Sequence, residues 1–494
     1  MRKHLRRISG LGKNLRLLLI PFLLQSGGGQ AQTAGSEEIQ QLRETVKALE
    51  NRVAALEAEL ERERGGGSGS KHDGPEAAAA LATAANGLKN RPGQLATLAD
   101  SVQETASANT AKPPVVPTEL PGGATLNFLF DGYYEYNFNE PIGRVNYLRA
   151  YDVSHNAFSI NQTGLIFELA PDPGARRRYG MRLDLQYGQA TETLQGNPAN
   201  ERRPEIYRNI YQAYGSYVFP LRRGLQLDFG KWASSLGIEA NYTKDQINYT
   251  RSYWFYDLPF YHQGVRTTLH INDKLTANYW VVNGTQQSEP VNSYKDELFG
   301  FNFTPKKSIS WTVNYYVGQE HPDSVSATNC GPAPIQPGLC YQAIIPAPNG
   351  KLHIFDSYAT WNATPKLTLA GEADYEIERE WANAAPGQSS APSHTTGGAG
   401  YVQYQWKPRL ALAARGEYMA DPQGLFSNAG QALKEVTATM KFQAADNLDA
   451  FLEYRYDWSN QKYFLTGTPG VFTNAQPTVA LGLVWWYGGK QGAW

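Results

Sequence analysis

The feature that most constrains this chain is a period-two alternation that returns in about sixteen segments of roughly eight to twelve residues between Leu126 and Tyr487. Successive side chains of a strand point to opposite faces, so each segment carries one apolar face and one polar or mixed face. Phe128, Phe130, Gly132, Tyr134 and Tyr136 share one parity against Asp131, Tyr133, Glu135 and Asn137. Leu183, Leu185 and Tyr187 oppose Arg182, Asp184 and Gln186, and Val265, Thr267, Leu269 and Ile271 oppose Gly264, Arg266, Thr268 and His270. Segments of this length fit strands that cross a bilayer at a tilt.

The connections narrow the choice of fold. Short turns are predicted at 171–178, 220–224, 272–273, 305–307, 364–365, 407–409 and 445–447, and each alternates with a much longer loop. A soluble sandwich has no reason to segregate turn lengths in this way, whereas an up-and-down barrel with short periplasmic turns and long extracellular loops does. Tyr179, Phe219, Trp361, Trp406 and Phe442 lie beside the short turns, and Tyr187, Trp232, Tyr418 and Trp458 lie towards the long loops, as two interfacial girdles require. The abundance of Tyr (30) and Gly (47) against 4 Met favours pleated surface over helix bundles. A mean hydropathy of -0.49 without a long apolar span excludes a helical membrane protein and leaves a barrel open. The expected fold class is therefore all-β: a transmembrane antiparallel up-and-down β-barrel of about sixteen strands over 124–494, preceded by a short coiled-coil helix.

Before the barrel, Arg2, Lys3, Arg6, Arg7, Lys13 and Arg16 precede the apolar run Leu17 to Leu24, with small residues near Ala31. This reads as a signal peptide over 1–31, since the run is too short for a stable transmembrane helix and contains Pro21. Over 36–64, Ile39, Val46, Val53 and Leu60 fall on one heptad register and Leu42, Leu49 and Leu56 on the other, with Glu50, Arg52, Glu57 and Glu61 between them. A coiled coil this short is marginal alone, so it predicts association. Its β-branched first positions lean towards two strands and leave a trimer open; for the whole chain a homo-oligomer is expected through barrel and coiled coil, with a trimer favoured. Residues 65–123 are Gly-, Ser-, Ala- and Pro-rich, the composition of a linker. The expected location is the outer membrane of a Gram-negative bacterium, with the arm in the periplasm and a contact to the cell wall open to it. Cys330 and Cys340 flank a Pro-rich loop and are read as a disulfide candidate in an oxidising compartment.

The run Asn248, Tyr249, Thr250, Arg251 and Ser252, followed by Pro259, Phe260, Tyr261, His262, Gln263 and Gly264, together with the aromatic end from Gly482 to Tyr487, resembles the Putative beta-barrel porin-2 (OmpL-like) family of bacterial outer-membrane proteins. The resemblance extends from about Leu126 to Trp494 and implies a passive porin. In porins of this strand number the third long loop folds inward, and 232–263 is the third in this chain. It supplies Glu239, Lys244, Asp245, Arg251 and Asp257 as candidates for a pore constriction, with Arg251 and Asp257 as the expected eyelet charges.

The parity opposite the apolar sets lines the lumen, and there it places Arg182, Asp184, Asp228, Arg266, Glu372, Asp374, Arg415, Glu417, Glu453 and Arg455, with Asp131, Glu135, Glu168, Glu376, Glu435, Lys441 and Asp457. Acids are in excess, which would favour cations modestly. The competing reading is that these charges satisfy one another across strands, for example Arg415 with Glu435 or Lys441 with Glu453. The function expected is passive diffusion of small hydrophilic solutes or ions through a water-filled barrel in outer-membrane lipid. The alternatives are a structural barrel or adhesin tethered through its coiled coil and, least favoured, an outer-membrane enzyme. The sequence contains no G-x-S-x-G or H-E-x-x-H frame, and it suggests no cofactor, metal or catalytic residue. A net charge of -1 sets nucleic acid aside as a partner.

Overall fold

The computed structural model describes residues 119–120, 123–195, 201, 203–221, 223–330, 340–347, 350–379 and 391–488. The expected signal peptide, the coiled coil and all but the last residues of the linker lie outside the described residues.

Lipid offers no hydrogen bonds, so a sheet that crosses it must pair every strand edge with another strand. Sixteen strands do so here. The first eight are β1 (Ala124–Asn137), β2 (Ala157–Leu169), β3 (Tyr179–Tyr187), β4 (Ile210–Phe219), β5 (Leu225–Ala233), β6 (Tyr261–Asn272), β7 (Leu275–Val282) and β8 (Asp296–Lys306). The second eight are β9 (Ile309–Gly318), β10 (Leu352–Thr364), β11 (Leu367–Arg379), β12 (Pro392–Lys407), β13 (Leu410–Asp421), β14 (Gln431–Ala445), β15 (Leu448–Ser459) and β16 (Ala475–Tyr487). Each strand pairs antiparallel with the next, and β16 returns to β1 with Phe128 opposite Tyr487 and Asn137 opposite Thr478. The ladder is therefore closed. The last linker residues join it through a two-residue pairing, Glu119 with Thr125 and Leu120 with Ala124.

Short connections at 170–178, 220–224, 273–274, 307–308, 365–366, 408–409 and 446–447 alternate with the long loops, as the turn chemistry predicts. In the Asp446-Asn447 turn Asn447 takes φ 60, a conformation that Asn tolerates better than most residues with a side chain. The fifth long loop carries a hairpin of its own, Ser324–Cys330 paired with Cys340–Pro346. It leaves the wall intact, because β9 pairs directly with β10 from Ile309 opposite Trp361 to Gly318 opposite Leu352.

Burial follows the alternation. Along β15, Leu452, Tyr454 and Tyr456 are exposed to the lipid side while Phe451, Glu453, Arg455 and Asp457 are buried within the barrel. Tyr179, Phe219, Trp361, Trp406 and Phe442 form an exposed rim beside the short turns, and Tyr187 and Tyr418 stand on the opposite rim. Trp232 departs from expectation, since it is 0% exposed and faces inward. It lies an even number of residues from Asp228, so the strand period sends both to the same side; there its ring meets Trp280 edge to face at 5.8 Å and the Arg266 guanidinium at 5.2 Å. Replacing the lipid-facing Leu452 in mid-strand by Arg is expected to destabilise the barrel by about 2–4 kcal/mol. Denaturant unfolding in lipid vesicles measures this as a lowered midpoint.

Candidate functional site

The strands claim residues at both ends of the aromatic insertion: Trp232 and Ala233 close β5, and Tyr261 to Gly264 open β6. What remains is a loop over 234–260, which turns into the barrel so that most of its residues are buried. Its regular parts are a single 3-10 turn, Thr243–Asp245, and a helical turn, Tyr253–Asp257. Ser252 caps the helical turn by accepting from the Phe255 N–H at 2.9 Å. An irregular backbone in a buried place must find partners for its peptide groups outside a ladder. In this barrel the wall supplies them.

The first limb of the loop docks on β9 to β11. The Gly237 N–H donates to Asp356 at 3.2 Å and the Ile238 N–H to Glu372 at 3.0 Å. The Ser235 carbonyl accepts from Asn314 at 2.8 Å and from the Tyr358 hydroxyl at 3.1 Å. The middle of the loop crosses to β1, β2 and β3, where the Tyr242 hydroxyl donates to Asp184 at 2.8 Å and those of Thr243 and Tyr249 donate to Asp131 at 2.6 and 2.7 Å. The Tyr249 and Thr250 N–H groups then converge on the Glu453 carboxylate of β15 at 2.6 and 2.9 Å. In the last limb the Tyr253 hydroxyl donates to Asp457 at 2.7 Å, the Trp254 N–H to Glu417 at 3.0 Å, and Thr395 of β12 to Asp257 at 3.0 Å. A few wall carboxyl groups thus hold the loop at many points.

Two arginines and a glycine complete the seat. The Arg415 guanidinium donates to Glu435 at 2.9 Å, Glu239 at 2.8 Å and the Thr250 carbonyl at 2.7 Å, tying wall to loop. Arg455 bonds Asp457 at 2.8 Å and the Arg251 carbonyl at 2.5 Å. On β16 the inward-facing Gly482 passes against the Tyr249 ring, and a Cβ there would collide with it. The aromatic loop residue thus fits into a gap left by a missing side chain.

The residues singled out by sequence are distributed as follows. Glu239 is held by Arg415 and accepts from the Ser252 N–H at 2.7 Å. Lys244 pairs with its neighbour Asp245 at 2.7 Å. Arg251 is 1% exposed. Its guanidinium turns back into the loop, donating to the carbonyls of Tyr249 and Asn241 at 2.7 and 2.8 Å and lying over the Tyr151 ring. The chain spacing alone cannot distinguish a charge aimed at water from one that clasps its own loop. Asp257 is half-buried; burial pushes its carboxyl up to about 7, against the Thr395 hydrogen bond, and Asp421 and Glu378 add repulsion. On the wall, Arg182 bonds Asp184 at 2.8 Å and Arg266 bonds Asp228 at 2.8 Å. Lys441 pairs with Asp449 at 3.2 Å rather than with Glu453, whose oxygens are taken by the loop and by Thr439.

Sequence reasoning passed over Arg149 and Asp356. Arg149 comes from the first long loop, which also enters the barrel, and it bonds Asp457 at 2.6 Å and Asp152 at 2.5 Å. Its only signal is a place between Tyr147 and Tyr151 in an aromatic loop. Asp356 shares its parity with Tyr358 in a strand whose other face shows Phe355 and Trp361, and that alternation could have revealed it.

Solved structures of similar fold are outer-membrane proteins. In-vitro folded OmpT of Vibrio cholerae aligns with a TM-score of 0.44 at 10% identity, over 76% of this chain and 100% of that one. The anion-selective porin of Comamonas acidovorans gives 0.46 at 7% identity over 74% and 99%, and the channel DcaP of Acinetobacter baumannii gives 0.45 at 10% over 76% and 100%. No curated protein matches the chain. A family model, described as Putative beta-barrel porin-2, OmpL-like, matches residues 124–485. That stretch begins with the first residue of β1 and ends within β16, taking in the closed wall and the loop inside it, and the chain belongs to this family.

Proposed function

We propose that the protein is an outer-membrane porin through which small hydrophilic solutes or ions diffuse passively, and that the loop 234–260 forms its constriction. The observation that carries this reading is the loop itself: it lies within a barrel with a polar inner face and is bonded to strands on opposite sides of the wall. Within the constriction the named charges divide their work. Glu239 and Arg251 hold the loop in shape, while Lys244 with Asp245, and Asp257, set the charge of the opening. The heptad arm supports a homo-oligomer, with a trimer favoured and the arm in the periplasm. Cys330 and Cys340 stand directly opposite each other in the hairpin of the fifth loop, a placement within reach of a disulfide.

Reconstituted in a planar bilayer, the wild-type protein is expected to give stable stepwise conductance; a silent barrel would instead support a structural role. Arg251→Ala removes the clasp between the two arms of the loop, and is expected to change single-channel conductance and raise open-channel noise. Unchanged traces would remove the loop from the constriction. Arg415→Ala leaves Glu239 buried without its cation and Glu435 with only the Arg455 guanidinium at 4.0 Å, a loss of roughly 3–5 kcal/mol read as a lowered unfolding midpoint in detergent. Thiol alkylation of the unfolded protein is expected to label Cys330 and Cys340 only after reduction.

A further inference from the structure

The short-turn end of the barrel carries charge of mainly one sign. Between β6 and β13, the four short turns and the strand ends beside them hold Lys274, Lys306, Lys307, Lys366, Lys407 and Arg409, all exposed, against one acid, Asp273. That acid is already bonded to Arg223 of the preceding short turn. Among the described residues none of the six cations is in a salt bridge with a carboxylate. The long-loop ends of the same strands mix the two signs instead, with Lys295 beside Asp296 and Glu297, and Arg379 beside Glu378.

The strand register decides which side of the wall these cations border. β8 ends in a bulge that sets Lys306 opposite Ile309, and Ile309 lies in turn opposite the exposed Trp361 of β10. β12 ends in another, with Lys407 opposite Leu410 and Leu410 opposite the exposed Phe442 of β14. A bulge adds one residue to its strand, so the next side chain turns to the other face. Both lysines therefore leave their strands on the side of the aromatic rim, away from the lumen. The Lys407 ammonium lies 5.0 Å from the centre of the Trp406 ring, which is itself exposed on that side. Aromatic rims settle at the boundary between hydrocarbon and headgroups, and a lysine just beyond them lays its stem on apolar surface and its ammonium at headgroup level. Clustered cations at that depth attract anionic lipid, an attraction that salt screens. A role in steering solute through the lumen would instead need these two ammonium groups on the inner face.

We propose that the short-turn rim from β7 to β13 is a binding surface for the phosphate groups of anionic phospholipid in the inner leaflet, the one that short periplasmic turns face, with Lys306 and Lys407 at its lipid-facing edge. The surface lies outside the barrel and stands whether or not the barrel conducts. The test reconstitutes the full chain in phosphatidylcholine vesicles with a trace of spin-labelled phosphatidylglycerol or phosphatidylcholine, and reads by electron paramagnetic resonance how much of each label the protein immobilises. Wild type is expected to prefer phosphatidylglycerol by roughly twofold or more at low salt, and to lose most of that preference at about 1 M NaCl. In the variant Lys306→Gln, Lys307→Gln, Lys407→Gln, Arg409→Gln the ratio is expected to fall to about one, whereas Lys306→Arg, Lys307→Arg, Lys407→Arg keeps it. A wild type without preference, or a neutralised variant that retains it, overturns the proposal. Should the fourfold variant fail to insert, the pair Lys306→Gln, Lys407→Gln is expected to lower the ratio in the same direction, and an unchanged ratio there overturns it equally. Retention of the wild type on purified peptidoglycan without any lipid preference assigns the rim to the cell wall, and loss of the preference when inorganic phosphate replaces chloride at equal ionic strength assigns it to the free ion; either result overturns the lipid surface.

Discussion

Peptide groups of an irregular segment have no ladder to satisfy them, so a loop inside a barrel stays there only if the wall offers acceptors and donors at the right places. Here the wall offers carboxylates. Glu453 takes two successive N–H groups, Glu417 takes one at the start of the helical turn, and Asp356 and Glu372 take one each from the descending limb. A handful of such bonds fix a loop that crosses the whole lumen. The closed ladder makes this possible, because only a wall without edges can present its inner face from every direction at once.

This arrangement gives two roles to residues of one chemical type. Acids such as Glu453 and Asp457 are occupied by loop donors or by arginines and act as fixed architecture. Glu376 on β11 and Glu417 and Asp421 on β13, on the same inner face, each keep an oxygen that no donor reaches. Charge excess in the sequence therefore overstates the field available to a permeating ion.

The wall was legible in the sequence because a strand has a period of two and a barrel sorts its turns by length. Both properties are carried by the order of the residues, and the strand boundaries from Ala124 to Tyr487 follow them closely. The position of the loop was legible from its place in the count. Its internal arrangement was not, since nothing in the run from Asn248 to Ser252 tells whether Arg251 reaches for water or for the carbonyls of Tyr249 and Asn241. Contacts distant in sequence were likewise hidden: the fit of Tyr249 over Gly482 joins the third loop to the last strand, and no local pattern encodes it.

The central claim is that the loop 234–260 lies in the path of what passes through the barrel. A single thiol placed in it by Asp257→Cys, in a chain where Cys330 and Cys340 are Ser, can be modified in an open channel with a charged water-soluble thiosulfonate. The account predicts a stepwise, reductant-reversible change in conductance as the reagent enters. Full modification, confirmed by mass, with conductance unaltered would contradict it.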